Sequence, residues 1–178
     1  NLESVIKAKV DLADYVSQYT TLKRTGNTWR GACPIHGGEN TSAFTVFPHG
    51  TFYCFSCGAC GNVINFVAEY EHITYEAATE KLADMLNIDV STNAEYVRQR
   101  DLIQDYRHRV VTASRNLESN EELQSYLSKR GIGEDVARLF HLGADKQASG
   151  SLVIPIYNVN DQPVAIAKRY FNAKYKYK

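Results

Sequence analysis

All four cysteines of the chain and two of its five histidines lie between residues 33 and 62. Two pairs have the spacing of metal-binding turns, because two residues separate Cys33 from His36 and two separate Cys54 from Cys57. Zinc prefers four sulfur or imidazole ligands in a tetrahedron, and a two-residue spacer on a tight turn brings both members of a pair to one face. The sequence therefore predicts a structural zinc ion at these four residues. Four protein ligands leave no open position for a water molecule, so the metal is expected to hold the fold and to do no chemistry.

Cys60 continues the second pair by another two-residue step and leaves alternatives open. It could replace His36 as a ligand, or it could remain a free thiol beside the site. A site made of Cys54, Cys57 and Cys60 would take three ligands from one short turn and leave the first pair without a purpose, so His36 is preferred. Disulfides are the competing use of cysteines, but a histidine at ligand spacing has no place in a disulfide framework. His49 lies in a Pro-His-Gly turn and is expected to be exposed.

The elements that must position these ligands are predicted to be short. Three runs rich in aromatic and β-branched residues, with Gly and Pro between them, predict strands at residues 29–32, 43–47 and 51–55. Apolar residues at helical spacing predict a helix over residues 12–19 that is capped by Asp11. Two more helices are predicted to begin after Asn62 and after Thr74. This arrangement around the ligands is typical of a zinc ribbon.

A break in the apolar pattern divides the chain into two parts. Residues 89–95 show no clear periodicity and are predicted to connect two domains, with the boundary near residue 91. We expect a zinc-ribbon domain at residues 1–90, a linker at 91–97 and a second domain at 98–178. The chain starts with Asn rather than Met and stops in a lysine-rich stretch, so we expect it to be part of a longer protein.

The second domain is predicted to combine helices with a β-hairpin. A broken apolar stripe predicts a long helix from residue 94 to about 117, and two shorter helices interrupted at Gly131 follow it. Two strands, at 152–157 and 163–170, are joined by a turn at 158–162. With the ribbon, this pattern predicts an α+β fold.

The composition gives no sign of a membrane protein. Hydrophobic residues make up 44% of the chain and charged residues 22%, as in ordinary globular proteins. The apolar runs fall short of the roughly 18 residues that a membrane span requires. The early apolar stretches are interrupted by Lys7, Lys9 and Asp11, so no signal peptide is predicted. We expect a soluble, cytoplasmic protein.

The net charge of zero hides a difference between the two halves. Residues 1–90 carry six Lys and Arg against ten Asp and Glu, whereas residues 91–178 carry fourteen against ten. A polyanion is expected to bind first at the far C-terminus, although a solvated tail is an equally open interpretation. The basic residues there are Lys168, Arg169, Lys174, Lys176 and Lys178.

The first half of the chain resembles the zinc-binding domain of the bacterial DnaG-type DNA primases and of their phage and plasmid relatives. Three segments follow the order of that domain: LADYVSQYTTLKRTGNTWRGACPIH, then SAFTVF, then FYCFSCGACGNVINFV. The family commonly has His where this chain has Cys60, which keeps a swapped ligand open. The resemblance implies a small antiparallel sheet with flanking helices.

The second half resembles the start of the RNA-polymerase domain of the same family. The matching segments are YLSKRGI at 126–132, VIPIYNVNDQPVAIAKR at 153–169 and KYKYK at 174–178. The resemblance implies a zinc ribbon linked to the helical and β-hairpin start of a primase polymerase domain. The family's metal-binding TOPRIM carboxylates, a Glu and a DxD pair, are expected beyond the end of this chain.

The resemblance also implies a function. The parent protein would be a DNA-directed RNA polymerase, a nucleotidyltransferase that makes short RNA primers on single-stranded DNA. Two-metal phosphoryl transfer needs several carboxylates held together, so Mg²⁺ is expected only in the TOPRIM domain and no catalytic residue is predicted here. The implied partners are the single-stranded DNA template and, through the parent protein, a replicative helicase.

Nine residues are expected to contact the template. In the ribbon, cations for phosphates and a ring for base stacking are expected at Lys23, Arg24, Trp29 and Arg30. In the second half, the basic patch and the resemblance indicate Arg130, Lys168, Arg169, Lys174 and Lys176. The remaining ribbon aromatics are expected to serve the core first, with at least half pointing inward by strand alternation: Phe44, Phe47, Phe52, Tyr53 and Phe55.

Two other functions are left open by the sequence. The chain could be a stand-alone zinc-ribbon module that binds a protein or regulates one. It could also be a thiol switch that uses Cys54, Cys57 and Cys60 and releases zinc on mild oxidation. A longer reading frame with a downstream carboxylate cluster would separate the first of these from a primase.

Overall fold

The computed structural model describes residues 1–146 and 151–170 of the chain. These residues form two compact units, the first ending at Val97 and the second beginning at Arg98. Residues 91–97, predicted to be a linker, fold as the end of a 3-10 turn and the first turn of a helix. They are ordered in this way because Val90 and Tyr96 pack against the core of the first unit.

The first unit is a small antiparallel sheet with helices before and after it. Two helices come first, α1 (Leu2–Lys9) and α2 (Leu12–Val16). Five strands follow: β1 (Lys23–Thr25), β2 (Thr28–Gly31), β3 (Phe44–Phe47), β4 (Thr51–Cys54) and β5 (Cys60–Gly61). The unit closes with α3 (Val63–Glu71), α4 (Tyr75–Met85) and the 3-10 turn Val90–Thr92. The three strands predicted from sequence are present, each within one residue of its predicted ends.

The helix that was predicted over residues 12–19 is shorter than expected. It begins as predicted, because the Asp11 carboxylate accepts a hydrogen bond from the N–H of Asp14 at 2.9 Å. It ends at Val16, where the N–H of Tyr19 bonds to the carbonyl three residues back at 2.9 Å. Such a bond tightens the last turn and stops the α-helix.

The core of the first unit lies between one face of the sheet and the helices. The strands are ordered β1-β2-β3-β4-β5, and period-two alternation places Phe44, Val46 and Phe52 on the same face, where all three are buried. Phe66 of α3 meets Phe44 and Phe52 edge-on, at ring-centroid distances of 6.0 and 5.8 Å. We call this buried side of the sheet the inner face and the opposite side the outer face.

The second unit packs three helices on a three-stranded antiparallel sheet. Its helices are α5 (Ala94–Glu118, which starts in the last residues of the first unit), α6 (Glu121–Lys129) and α7 (Glu134–Leu139). Its strands are β6 (Gly143–Ala144), β7 (Ser151–Tyr157) and β8 (Pro163–Tyr170), with β7 in the middle. The main buried side chains of its core are Leu117, Leu123, Leu127 and Leu152.

Gly131 separates α6 from α7, as the sequence predicts. It adopts a φ of +74°, which an L side chain would strain. The next N–H, that of Ile132, bonds back to the Leu127 carbonyl at 3.0 Å and so satisfies an end carbonyl of α6. The α+β fold class is confirmed. Among the helices that the structure describes, none combines the length and the apolar character that crossing a bilayer requires.

Candidate metal centre and charged surfaces

The strand directions of the first unit bring the two ligand turns together. Strands β2 and β4 are both antiparallel to β3, so they run in the same direction and end at the same edge of the sheet. Cys33 follows the end of β2, and Cys54 is the last residue of β4. After Cys54 the chain turns back at once, because the N–H of Gly58 bonds to the Cys54 carbonyl at 2.9 Å. Both turns therefore face each other at one end of the sheet.

The four predicted ligands converge at this end. One ligand atom from each of Cys33, His36, Cys54 and Cys57 lies within 4.8 Å of all the others. His36 turns Nδ1 toward the cluster, since this atom lies 3.8 Å from the Cys54 sulfur. In a tetrahedral zinc site with Zn–S of about 2.3 Å and Zn–N of about 2.0 Å, neighbouring ligand atoms are about 3.5–3.8 Å apart. The donors therefore fit zinc in type, the Cys54–His36 pair has the tetrahedral spacing, and all four donors lie close enough to converge on one ion.

Burial of the ligands indicates a structural role for such an ion. Cys33 and Cys54 are buried, whereas His36 and Cys57 lie at the surface. An ion held by all four would join the turn after β2 to the turn after β4 from inside the unit. Since the protein supplies the complete tetrahedron, the ion would act as a cross-link and would not activate water.

The two buried thiols differ in acidity. Burial raises the pKa of the Cys33 thiol to about 12. Burial acts in the same direction at Cys54, but the backbone N–H groups of Cys57 and Ser56 outweigh it and lower the pKa of that thiol. Zinc binds the thiolate, so the second turn is prepared for an anion, while zinc must displace a proton from Cys33. Zinc affinity is therefore expected to fall as the pH falls.

Cys60 does not belong to this group of donors. It lies on β5, exposed to solvent, and is paired in register with Tyr53 of β4. In the part of the chain that the structure describes, no other cluster of three or more Cys, His, Asp or Glu side chains could hold a metal ion. The geometry thus favours His36 over Cys60 as the fourth ligand.

The register of β1 and β2 divides the four template residues predicted in the ribbon. Lys23 pairs with Arg30, and Arg24 pairs with Trp29. Paired residues share a face and neighbours along a strand alternate, so Lys23 and Arg30 lie on the outer face. Arg24 and Trp29 lie on the inner side, where Trp29 is opposite the buried Val46. The four residues therefore do not form one surface.

The outer face carries both charge and exposed rings. A single row crosses the sheet there, in the order Lys23, Arg30, Thr45, Tyr53 and Cys60. Tyr53 is 39% exposed and Phe55 is 65% exposed, with their ring centroids 4.9 Å apart. The Nε of Arg30 is buried and has no hydrogen-bond partner among the described residues. This row lies next to the second ligand turn, since Tyr53 and Phe55 flank Cys54.

Arg24 and Trp29 interact with each other on the inner side. The Arg24 guanidinium lies 5.9 Å from the centre of the Trp29 ring, within the range of a cation–π contact. The ring also packs against the core and is only partly accessible. Trp29 is therefore shared between the core and the surface.

In the second unit, two of the predicted template residues meet. Arg130 and Arg169 line one cavity of about 420 Å³, together with Lys129, Tyr126 and Tyr170. The Arg130 guanidinium lies 4.8 Å from the centre of the Tyr126 ring. Three cations, two rings and the Glu122 carboxylate line this cavity, so it combines positive charge with aromatic rings as the outer face does.

Lys168 does not join this cavity. It is adjacent to Arg169 on β8, so its side chain points to the other face of the hairpin, where it forms an ion pair with Asp145. Lys174 and Lys176 lie outside the described residues.

Sequence reasoning missed the other basic and aromatic residues of the cavity, which are Tyr126, Lys129 and Tyr170. Lys129 precedes Arg130 and Tyr170 follows Arg169, so both could have been found as sequence neighbours of a predicted template-binding arginine. Tyr126 lies four residues before Arg130, which places both on one side of the helix end. The outer-face rings Tyr53 and Phe55 were assigned to the core first, and their exposure shows that strand alternation and the turn after β4 direct them outward.

Comparison with known proteins agrees with this geometry. The model of the CHC2 zinc finger family matches residues 2–98. The chain is 34% identical over 155 residues to the DNA primase of Thermotoga maritima, covering 84% of this chain and 27% of that protein. It is 36% identical over 148 residues to the DNA primase of Clostridium acetobutylicum, covering 79% of this chain and 25% of that protein. The chain thus spans about a quarter of the length of these curated relatives.

A solved structure shares the fold. The zinc-binding and RNA polymerase domains of the Aquifex aeolicus primase match with a TM-score of 0.50 and 24% sequence identity, over 100% of this chain and 53% of that chain. The match extends over both units, so the second unit is also built like the corresponding primase segment. The two ligand turns and the sheet of the first unit, and the fold of the second unit, thus agree with the family match. The chain belongs to the DnaG-type DNA primases and carries their CHC2 zinc finger and the start of their RNA polymerase domain.

Proposed function

We propose that this chain binds the single-stranded DNA template and recognises the initiation site as part of a primase that makes RNA primers for replication. The main support for the proposal is the outer face of the first unit's sheet, where Lys23 and Arg30 lie in one row with the exposed ring of Tyr53. Cations neutralise phosphates, and each stacked base contributes about 1–3 kcal/mol.

The zinc site supports this role by fixing the surface. Tyr53 and Phe55 flank the ligand Cys54, so an ion at the tetrad sets the position of both rings. Exposed aromatic side chains that lie against each other, as these two do, are typical of a binding surface. A single strand with unstacked bases is a partner of suitable chemistry.

The cavity of the second unit would extend the template contact. Lys129, Arg130 and Arg169 supply three positive charges beside Tyr126 and Tyr170, against the single carboxylate of Glu122. The first half of the chain is net acidic, with six Lys and Arg against ten Asp and Glu over residues 1–90. Because the ribbon alone can neutralise few phosphates, we expect most of the affinity for single-stranded DNA to require contacts from both units.

Primer synthesis itself is assigned to the parent protein. Two-metal phosphoryl transfer uses Mg²⁺ held by several carboxylates, and among the described residues the one metal-binding cluster consists of Cys and His side chains. Mg²⁺ is therefore proposed to bind the TOPRIM domain of the parent. Binding of a replicative helicase stays a prediction for the parent protein. A role in replication would place the parent protein in the cytoplasm.

A binding titration tests the proposal. A labelled single-stranded oligonucleotide is titrated with the zinc-loaded chain at increasing salt, and its anisotropy is measured. For single strands the salt slope is about 0.7 per phosphate contact, so the double variant Lys23→Ala/Arg30→Ala is expected to lower the slope by about 1.4. Phe55→Ala is expected to weaken binding by about 5- to 150-fold if its ring stacks on a base.

Lys81→Ala is the control, because it removes a charge from α4, where Lys81 pairs with Glu71. Equal binding by all variants would contradict the outer-face assignment. Failure of the wild-type chain to bind at low salt would favour the alternative, a zinc ribbon that binds a protein.

A further inference from the structure

A notch of about 440 Å³ opens in the first unit at the end of the sheet that is far from the metal turns. One wall is the last turn of α1 and the connection to α2, with Lys7 and Lys9. The other wall is β2 and the turn between β3 and β4, with Trp29, Phe47 and His49. The volume lies within the range of about 300–1,000 Å³ that is usual for small-molecule sites.

The second wall presents aromatic rings. The Phe47 and His49 rings stack with centroids 5.6 Å apart and planes 20° from parallel. The His49 Nε2 lies 2.7 Å from the Thr51 hydroxyl, which fixes the imidazole on the turn. Trp29 adds an indole that is partly accessible. Flat rings held in place at a surface are suited to packing against a nucleobase.

The first wall presents positive charge. Lys7 and Lys9 are exposed, and neither forms an ion pair or a side-chain hydrogen bond with a described residue. The dipole of α1 favours lysines in its last turn, but it does not account for an aromatic wall opposite them. Asp11 also lines the notch, and its carboxylate is engaged as the N-cap of α2 through the N–H of Asp14.

We infer that this notch binds one nucleotide of a single-stranded nucleic acid, with the base against the rings and the phosphate at Lys7 and Lys9. The inference rests on the proposed function and deepens it, because it adds a second contact to the ribbon on the side away from the outer face. A free nucleotide offers the same chemistry as a nucleotide within a strand. The two sources are therefore separate arms of the test.

Trp29 is the single tryptophan of the chain and reports directly on the notch. Its emission is followed while the zinc-loaded chain is titrated with oligothymidylate, with an abasic oligomer of equal length, and with thymidine monophosphate. Oligothymidylate is expected to quench Trp29, the abasic oligomer to quench it much less, and the mononucleotide to act only at far higher concentration. Lys7→Ala and Lys9→Ala are each expected to weaken the quenching titration by about two- to fivefold, as for an exposed ion pair.

Two variants separate this site from the outer face. Lys81→Ala removes an equal charge outside the notch and should match the wild type. Lys23→Ala/Arg30→Ala should weaken binding but keep the full amplitude of Trp29 quenching at saturation. Zinc content and circular dichroism confirm that each variant is folded.

The outcomes distinguish the two hypotheses. If the oligomer binds by anisotropy, Trp29 emission is unchanged and both lysine variants match Lys81→Ala, the notch is not a nucleotide site and the proposed function stands. If thymidine monophosphate quenches and the oligomer does not, the assignment to a strand is overturned. If neither ligand binds at low salt, both hypotheses fail.

Discussion

The two units of this chain obtain their stability in different ways. In the first, the sheet is held from one side by a core with Phe44, Phe52 and Phe66 and at one end by a tetrad fit for zinc. In the second, the main core cluster consists of buried leucines and alanines, and no metal-binding cluster accompanies it in the described residues. A unit whose sheet strands are only two to four residues long can thus use a metal ion where more packing would otherwise be required.

The units also differ in the apolar surface they leave exposed. In the second unit Leu139 is 72% exposed, Phe140 61% and Val159 fully exposed. In the first, the most exposed large apolar side chain among the described residues is Phe55, which lies beside the ligand Cys54. The largest exposure in the first unit thus lies beside a candidate zinc ligand, whereas in the second unit the largest exposures lie at a helix end and a hairpin turn.

Removal of zinc should give the largest difference in stability between the two units. Structural zinc contributes about 10–16 kcal/mol of apparent binding free energy in small zinc domains. A chelator is therefore expected to unfold the ribbon, shifting Trp29 emission to that of an exposed indole, while the helical circular dichroism of α5 to α7 persists. Elemental analysis should find one zinc ion per chain before treatment.

Two cysteine variants test which thiols bind the zinc ion. Cys57→Ser removes a candidate ligand and should reproduce the effect of the chelator. Cys60→Ser changes a thiol three residues away that lies outside the tetrad, and it should leave zinc content and the ribbon unchanged. If Cys60→Ser loses zinc as Cys57→Ser does, the assignment of His36 as fourth ligand is wrong.

Core truncations should act on one unit at a time. Phe66→Ala removes a fully buried ring from the first unit and is expected to cost about 3–5 kcal/mol. Leu123→Ala, at 1% exposure in the second unit, is expected to cost about 2–5 kcal/mol. In thermal unfolding, Trp29 emission reports the first unit and helical circular dichroism reports both. Leu123→Ala should therefore shift only the circular dichroism, whereas Phe66→Ala should shift the emission and the part of the circular dichroism that comes from α1 to α4. Equal shifts of both signals in both variants would contradict two separate cores.

The ligand tetrad was predictable because spacing along the chain decides it. Two residues between ligands fix the geometry of each turn, and the antiparallel order of three neighbouring strands brings the two turns to one edge of the sheet. Helix α1 was missed, although Leu2 and Ile6 are four residues apart and both are buried. Its lysines and short length hid a pattern that only packing within the unit makes stable, in part against α4, whose Tyr75 hydroxyl donates to the Glu3 carboxylate at 3.2 Å.

Surface assignments were less predictable because they depend on register. A shift of one residue moves a side chain to the opposite face of a sheet, so the adjacent cations Lys23 and Arg24 could not be assigned to faces from sequence. Lys168 pairs with Asp145, which lies far away in the sequence and is brought close by the sheet of the second unit. Such ion pairs between distant residues leave no local signal.

The smallest expected effect concerns the space that His36 occupies. A Cβ on Gly38 would collide with the far edge of the His36 ring at Nε2, so the ring that turns Nδ1 toward the tetrad would have to shift. Gly38→Ala is expected to weaken zinc binding by about 10- to 100-fold, as when a residue that orients a ligand is lost. Competition with a chromophoric chelator measures the affinity, and the absorption of the Co²⁺-loaded chain reports whether the imidazole still coordinates.

Gly37→Ala is the matched control for this variant. Gly37 adopts a φ of +65° with no atom near the added Cβ, so its substitution strains the same turn without touching the ring. If both variants weaken zinc binding equally and keep the same Co²⁺ spectrum, turn strain alone explains the loss and Gly38 has no role in orienting His36. A change of spectrum in Gly38→Ala only would show that the ring is displaced, because strain in the turn would not by itself exchange a nitrogen donor for another ligand.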